Sequence, residues 1–367
     1  MKVLFVTTES LIDHSYTMID ELKKHIDVCT IITAKSKNEE IKSFCRKHNA
    51  FYFKRARFAN PLRIIGEMKL LRFVKRQKAD CVWFNTLSFL QSVLIKFFIR
   101  GKLVINAHDV ELHPGESDYH GMLSQKITFN LFKKSVAVMS KTQAAVFAER
   151  YKHYPYVLQL PVINYYEKCS VREASAGKKY EGNNSGKKVK FFFFGSILVY
   201  KGIETLIEAA RMLESETDDF VVNIYGKIMY NNQQILESIN HVKSINLYDN
   251  YIDYKEVYGI FKSNDVIIIP YRHVSQCGPL LIAYNQNKPV ICSRLPGFEE
   301  YVEEGKSGFF FDNTSKGLAE KMKEVINKRE EINNMSGYIS DEMMRKFSMA
   351  SLAVSYIECF KRAGLQA

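Results

Sequence analysis

One pattern occurs twice along the chain. Short runs of β-branched and aromatic residues, each the length of a buried strand, alternate with longer stretches of helical spacing. The first set holds Met1–Thr8 with KVLFVTT, Val28–Thr33 (VCTIIT), Cys81–Phe84 (CVWF), Leu103–Asn106 (LVIN) and Ser135–Met139 (SVAVM). A helix is expected near 16–24, after the first of these runs. The second set holds Val189–Phe194 (VKFFFF), Phe220–Tyr225 (FVVNIY), Asp265–Pro270 (DVIIIP) and Pro289–Cys292 (PVIC), with helices expected at Ile203–Leu213 and Tyr254–Lys262. Between the sets, Tyr165–Lys188 is rich in Gly, Ser, Asn and Lys and almost free of large aliphatic residues. Alternation of this kind specifies an α/β fold in which helices cover both faces of a parallel sheet. Two such domains are therefore expected, 1–165 and 189–345, joined by a linker at 166–188. A last helix within 346–367 is expected to return to the first domain. Ligands of such sheets bind outside the carboxyl ends of the strands, which makes a cleft between two facing domains the expected site.

Charge is distributed unevenly. Residues 1–170 carry 27 Lys and Arg against 15 Asp and Glu, whereas the remainder is neutral, so the net +12 belongs to the first half. One-sided positive charge suits an anionic membrane surface or a nucleic acid. No basic module interleaved with aromatics is present, so nucleic acid is not expected as a partner. Pro61–Lys78 places Leu62, Ile65, Met68, Leu71 and Val74 at helical spacing, with cations on the other faces. It reads either as a membrane-surface helix or as a core helix with a basic outer face. A bilayer-spanning helix needs about 20 apolar residues. The best candidate, Ser88–Arg100, is interrupted by Lys96 and Arg100. Met1–Ser10 shows no signal-peptide cleavage pattern, and the seven cysteines stand singly without a CxxC pair. These features point to a reducing, cytoplasmic setting, peripheral at the inner face of the cell membrane.

Two segments carry the chemistry. In KFFFFGSILVYKGIETLIEAA (190–210) a buried strand ends at Gly195, and Lys201-Gly202 precede an amphipathic helix. A lysine there sets a point cation against phosphate oxygens, and glycine lets the backbone approach a ligand. In the second, Gln276-Cys277-Gly278 lead into a helix over Leu280–Asn285, with Pro279 at its start. Proline is preorganised at that position, and the exposed N–H groups of a helix start attract anions. Together, Lys201 and this helix start form a site for a diphosphate.

These segments, with Lys288-Pro289-Val290-Ile291 and LPGFEEYVEEGKSG (295–308), resemble the nucleotide-sugar half of family 4 glycosyltransferases, retaining enzymes of the GT-B fold. The resemblance extends more thinly to Met1–Thr8 and to VINAHDVELHPGE (104–116). It implies transfer of a sugar from a nucleotide-sugar donor to a hydroxyl of a glycan or lipid-linked acceptor in surface-polysaccharide synthesis. Hexosyl transfer with retention is implied, with no metal and no cofactor, the nucleotide sugar being a substrate. By the same resemblance His108 and Lys201 are catalytic. Gly195, Ser196, Lys201, Ile252, Gln276, Cys277, Gly278, Pro279, Leu280 and Glu300 contact the donor, while Asp109, His113 and Glu116 position the acceptor. The family's paired glutamates at the second helix start are missing, Ser275 and Ile282 or Ala283 standing there, which marks a Gln-x-Gly subtype. The arginine beside the family lysine is missing too, and Lys227 or Arg272 is expected to supply that cation. Glu299, Glu303 and Glu304 read as a solvated helix face. The alternative that these departures favour is a catalytically silent GT-B module acting as a partner-binding subunit.

Overall fold

The computed structural model describes residues 1–34, 39–55, 63–99, 101–111, 119–170, 188–230 and 233–365. These divide into two compact units. The described residues within 1–111, 119–161 and 349–365 form the first, and those within 162–348 form the second.

The first unit begins with β1 (Lys2–Thr8), α1 (Ile12–Leu22), β2 (Asp27–Ala34), α2 (Glu39–Lys47) and β3 (Phe51–Lys54). It continues with α3 (Arg63–Arg76), β4 (Cys81–Phe84), α4 (Phe89–Phe98), β5 (Leu103–Ala107), α5 (Tyr119–Phe132), β6 (Val136–Val138), α6 (Lys141–Tyr151) and β7 (Tyr156–Val157). The seven strands form one sheet in the order β3-β2-β1-β4-β5-β6-β7, and every pairing is parallel. Successive strand residues point to opposite faces. Leu4, Val6, Val82, Phe84, Leu103 and Ile105 accordingly pack with Leu70, Leu71 and Val74 of α3 and Ile95 of α4. On the other face, Phe5 and Trp83 meet the ring of Phe360 edge-on, each at 5.8 Å between centroids. The sheet order reverses between β1 and β4, which makes their carboxyl ends the switch point of this unit.

The second unit opens with α7 (Tyr165–Ser170), β8 (Val189–Phe194), α8 (Ile203–Glu214), β9 (Phe220–Tyr225), α9 (Gln233–Asn240), β10 (Ile245–Tyr248) and α10 (Tyr254–Ser263). It closes with β11 (Val266–Ile269), α11 (Gly278–Asn285), β12 (Val290–Ser293), α12 (Pro296–Glu299), β13 (Gly308–Phe311), α13 (Ser315–Asn327), α14 (Arg329–Tyr338) and α15 (Met344–Phe347). Its sheet is again all parallel, in the order β10-β9-β8-β11-β12-β13, with the reversal between β8 and β11. Phe191, Phe192 and Phe193 are fully buried, because a central strand covered on both faces needs apolar side chains on each.

The boundaries differ from those expected. The first domain, expected to run to 165, ends at Pro161, and the linker expected from 166 starts too early: 165–170 folds as a helix on the second unit, with Tyr165 buried and its ring 6.3 Å from that of Tyr254. Within that helix Glu167 accepts from Asn285 at 3.0 Å. Residues 171–187 lie outside the described set. The last helix begins at Met349 rather than 346, because Ser348 is extended (ψ 145°) and separates α15 from α16 (Met349–Leu365). α16 then packs against α1, β4 and β5 of the first unit. The α3 stripe is settled as core packing at Leu71 and Val74, whereas Ile65 is exposed and Leu62 lies outside the described residues. Among the described residues no helix is long and apolar enough to cross a membrane.

Candidate functional site

In the second unit the two strands flanking the switch point deliver the phosphate-binding candidates. After β8 the chain turns at Gly195 (φ +116°), whose N–H donates to Tyr225 O at 3.0 Å. A Cβ on Gly195 would lie 3.3 Å from Lys201 Nζ and 3.9 Å from Pro279 Cγ. The space left by one missing side chain is thus where the lysine and the α11 start converge. Gly202 takes a left-handed conformation (φ +63°) that caps the turn Val199–Lys201 and opens α8. A Cβ there would run into the carbonyl of Pro270 at the end of β11, so the Lys201 turn sits directly on the neighbouring strand's exit.

From β11 the chain passes Tyr271 and reaches α11. Cys277 is its N-cap residue, with extended backbone and no side-chain cap, and Pro279 occupies the first turn. The N–H groups there have no side-chain acceptor supplied by the cap, the condition under which a helix start attracts an anion. Lys201 Nζ lies 5.4 Å from the Tyr271 ring centroid, so the ammonium lies over an aromatic face. Burial pushes the Cys277 thiol up to about 12, and the same cause holds the Tyr271 phenol well above its ordinary value. Cys277 is therefore a neutral packing residue. The Leu280 side chain is likewise core, 1% exposed, which leaves only its main chain at the helix start. Gln276, Gly278 and Pro279 are half-buried, and Ser196 is exposed.

Both candidate second cations adjoin this loop, and each is held by a carboxylate. Arg272 donates its backbone N–H to Tyr200 O at 2.7 Å, while its guanidinium reaches Glu204 at 3.3 Å. Tyr230 O–H donates to the same Glu204 at 2.9 Å. Lys227 pairs with Asp249 at 3.1 Å, and Asp249 also accepts from Ile228 N at 2.9 Å. Ile252 is half-buried in the turn between β10 and α10, at the same carboxyl edge of the sheet. Glu300 caps the short α12. The expected acidic face is solvated at Glu299 and Glu304 but is not one helix face: α12 ends at Glu299, and the later acids have partners. Glu303 accepts from Tyr338 O–H at 2.6 Å and from Lys346 at 3.1 Å; Glu304 pairs with Arg294 at 3.0 Å.

At the carboxyl edge of the first sheet a polar network surrounds His108, and its proton directions follow from the donor inventory. Trp83 Nε1–H can only donate, so the Asn85 oxygen accepts it at 2.7 Å. The Asn85 amide nitrogen then faces Thr7 Oγ1 (3.0 Å) and Ser15 Oγ (2.6 Å). Asn85 Oδ1 accepts again from Asn106 Nδ2 at 3.3 Å, and that nitrogen lies 3.2 Å from His108 Nε2. An amide nitrogen does not accept, so Nε2 carries the lone pair and the imidazole proton sits on Nδ1. Asn106 Oδ1 is buried with no hydrogen-bond partner among the described residues. The loop after His108 is held by Gln125 on Asp109 O and by Gln143 on Val110 N at 2.9 Å. His113 and Glu116 lie outside the described residues.

The sequence reading missed Tyr271 and the amide pair Asn85–Asn106. Asn106 was accessible: it lies on β5 two residues before His108, which follows directly on the strand's end. Asn85 and Trp83 belong to a different strand, and no local spacing joins them to His108. Among the described residues no group of three or more His, Cys, Asp or Glu side chains is arranged to hold a metal ion.

Comparison with known proteins agrees with this architecture. Residues 178–341 match the family model for glycosyl transferases group 1. A curated glycogen synthase from Thermodesulfovibrio yellowstonii is 25% identical over 174 residues, which is 46% of this chain and 34% of that protein. The match thus spans about a third of the curated relative's length. Among solved structures, Anabaena HepE in complex with UDP has a TM-score of 0.74 at 16% identity, covering 99% of this chain and 100% of that one. A glycosyltransferase from Rickettsia africae scores 0.72 at 18% identity, with coverage of 99% and 98%. Sucrose-phosphate synthase from Thermosynechococcus elongatus scores 0.74 at 12% identity, with 100% of both chains covered. The protein is thus of the GT-B fold, and residues 178–341, most of its second unit, match the group 1 glycosyl transferases.

Proposed function

We propose that the protein is a glycosyltransferase that moves a hexosyl group from a nucleoside diphosphate sugar to a hydroxyl of a glycan or lipid-linked acceptor. One observation carries the reading: Lys201 Nζ and the start of α11 converge over Gly195 at the switch point of the second sheet. When the bond from the sugar to the diphosphate breaks, negative charge grows on the departing oxygens. A fixed ammonium and oriented N–H groups stabilise that charge without reorganising at the moment of reaction. Lys201 is assigned the leaving-group charge, and Gln276, Gly278 and Pro279 line the helix start. Gly195 and Ser196 lie beside it, and Ile252 and Glu300 are assigned to the nucleoside and sugar ends. Arg272 and Lys227 are each engaged by a carboxylate of their own unit, Glu204 and Asp249. Within its own unit His108, as the Nδ1–H tautomer, is assigned to the reacting sugar, with Asp109, His113 and Glu116 for the acceptor.

Finer features rest on the resemblance to family 4 enzymes: retention, independence of metal, and a role in surface-polysaccharide assembly at the cytoplasmic face of a membrane. UDP is the first nucleotide to test, because the HepE structures of the same fold are complexes with UDP and UDP-glucose. The experiment is release of nucleoside diphosphate from UDP-, GDP- and ADP-sugars, alone and with polysaccharide or lipid-linked acceptors. One donor is expected to turn over, and Lys201→Ala to reduce that rate by at least a hundredfold. If no donor turns over and no nucleotide binds, the enzymatic reading fails.

A further inference from the structure

Three neighbouring helices of the first unit present a surface that the proposed chemistry does not use. α3, α4 and α5 lie side by side, joined by Gln91 Nε2 donating to Glu67 at 2.9 Å and by the Ser92–Thr128 hydroxyl pair. Their outward positions are apolar at several points where solvent would favour polar residues. On α4, Phe89, Val93 and Phe97 recur at i, i+4 and i+8 and are 47, 41 and 75% exposed. On α5, Met122, Leu123 and Leu131 are more than 40% exposed, as are Ile64 and Ile65 on α3.

The charges on the same helices are of one sign. The exposed charged residues are Lys69, Arg72, Lys75, Arg76, Lys96 and Lys126. Glu67 is the only acid in the three sequences; it is 3% exposed and turned inward, within 3.3 Å of Arg55. Exposed apolar side chains on helices whose exposed charges are all positive, with the one acid of these helices turned inward, form a surface complementary to an anionic bilayer: apolar side chains enter the acyl boundary and the cations meet the headgroups. A second copy of this chain fits poorly, since a two-fold interface would place this cationic face against itself.

We propose that the α3–α4–α5 face docks on anionic lipid, with Phe89, Val93 and Phe97 inserted. The inference deepens the membrane association proposed above by naming the face, and moves it from the α3 stripe to α4. The test is co-sedimentation of the full chain with vesicles of equal parts phosphatidylglycerol and phosphatidylcholine, and with pure phosphatidylcholine. Binding to the anionic vesicles at least tenfold stronger than to the neutral ones is expected. The double variant Phe89→Ser, Phe97→Ser and the pair Lys96→Glu, Lys126→Glu should each weaken it at least tenfold, with thermal unfolding unchanged because the sites are exposed. Absence of binding to anionic vesicles overturns the proposal, as does binding that neither variant alters. A solution dimer that Phe97→Ser dissociates, without lipid binding, also overturns it and assigns the face to a second copy. Nucleotide titration of the same variants separates the two readings, because loss of lipid binding leaves the second-unit site intact.

Discussion

Gly202→Ala tests the construction of the Lys201 turn. The residue sits at φ +63°, where an L side chain costs about 1–2 kcal/mol. Its Cβ would also overlap the Pro270 carbonyl oxygen and lie 3.2 Å from the carbonyl carbon, both main-chain atoms that no rotamer change can clear. Overpacking of this kind costs about 1–3 kcal/mol, so a total of about 3 kcal/mol is expected. For a unit of this size that corresponds to a fall in Tm of about 6–12 °C. Relief requires the turn to move off β11, which carries Lys201 away from the α11 start and weakens nucleoside diphosphate binding as well. Gly337→Ala is the control: this helical glycine has nothing within 4 Å of a built Cβ, and alanine there should stabilise by about 0.5–1 kcal/mol. Differential scanning calorimetry and nucleotide titration read both effects. A Gly202→Ala protein with wild-type Tm and wild-type nucleotide affinity would refute the reasoning.

Asn106→Asp replaces the donor facing His108 Nε2 with an acceptor, which favours a protonated imidazole. The acid limb of the pH–rate profile should move to higher pH, while Asn106→Gln should restore part of the wild-type profile; an unmoved limb removes Asn106 from this role. Cys277, its thiol pushed up to about 12 by burial, should resist iodoacetamide at pH 8 in the folded protein and react after unfolding, as followed by mass spectrometry. The Tyr338 O–H and the Lys346 ammonium hold the Glu303 carboxyl below its usual range. Its contribution to stability is therefore present above the unfolded value near about 4.3 and lost as pH falls through the lower folded value. Chemical denaturation of Glu303→Gln should show a deficit at pH 7 that vanishes in acid, and a deficit independent of pH contradicts the assignment.

Much of this was legible in the sequence because buried parallel strands announce themselves as continuous apolar runs. VKFFFF and DVIIIP flank the switch point, and their loops gave Gly195, Lys201 and Gln276–Pro279 by local spacing alone. Edge strands were less visible: β3 (FYFK) is four residues long with both ends exposed, and β7 has two residues. The linker boundary was misplaced because a buried ring, Tyr165, and the Glu167–Asn285 hydrogen bond hold 165–170 on the second unit despite the polar composition that follows. Partners distant in sequence were illegible in principle. Glu204 with Arg272, Asp249 with Lys227, and Trp83 with Asn85 and Asn106 meet only after the sheets form. The outward stripe on α4 was hidden because FLQSVLIKFF is apolar all round, and only packing shows which apolar positions are left facing solvent.

The central claim is that Lys201 and the α11 start jointly hold a diphosphate, and isothermal titration of UDP, with UMP and uridine as references, tests it most directly. Wild type should bind UDP more tightly than UMP or uridine, and Lys201→Met should reduce that preference at least tenfold while leaving uridine binding unchanged. Equal affinity of wild type for UDP and uridine, or a UDP preference undiminished in Lys201→Met, would contradict the account.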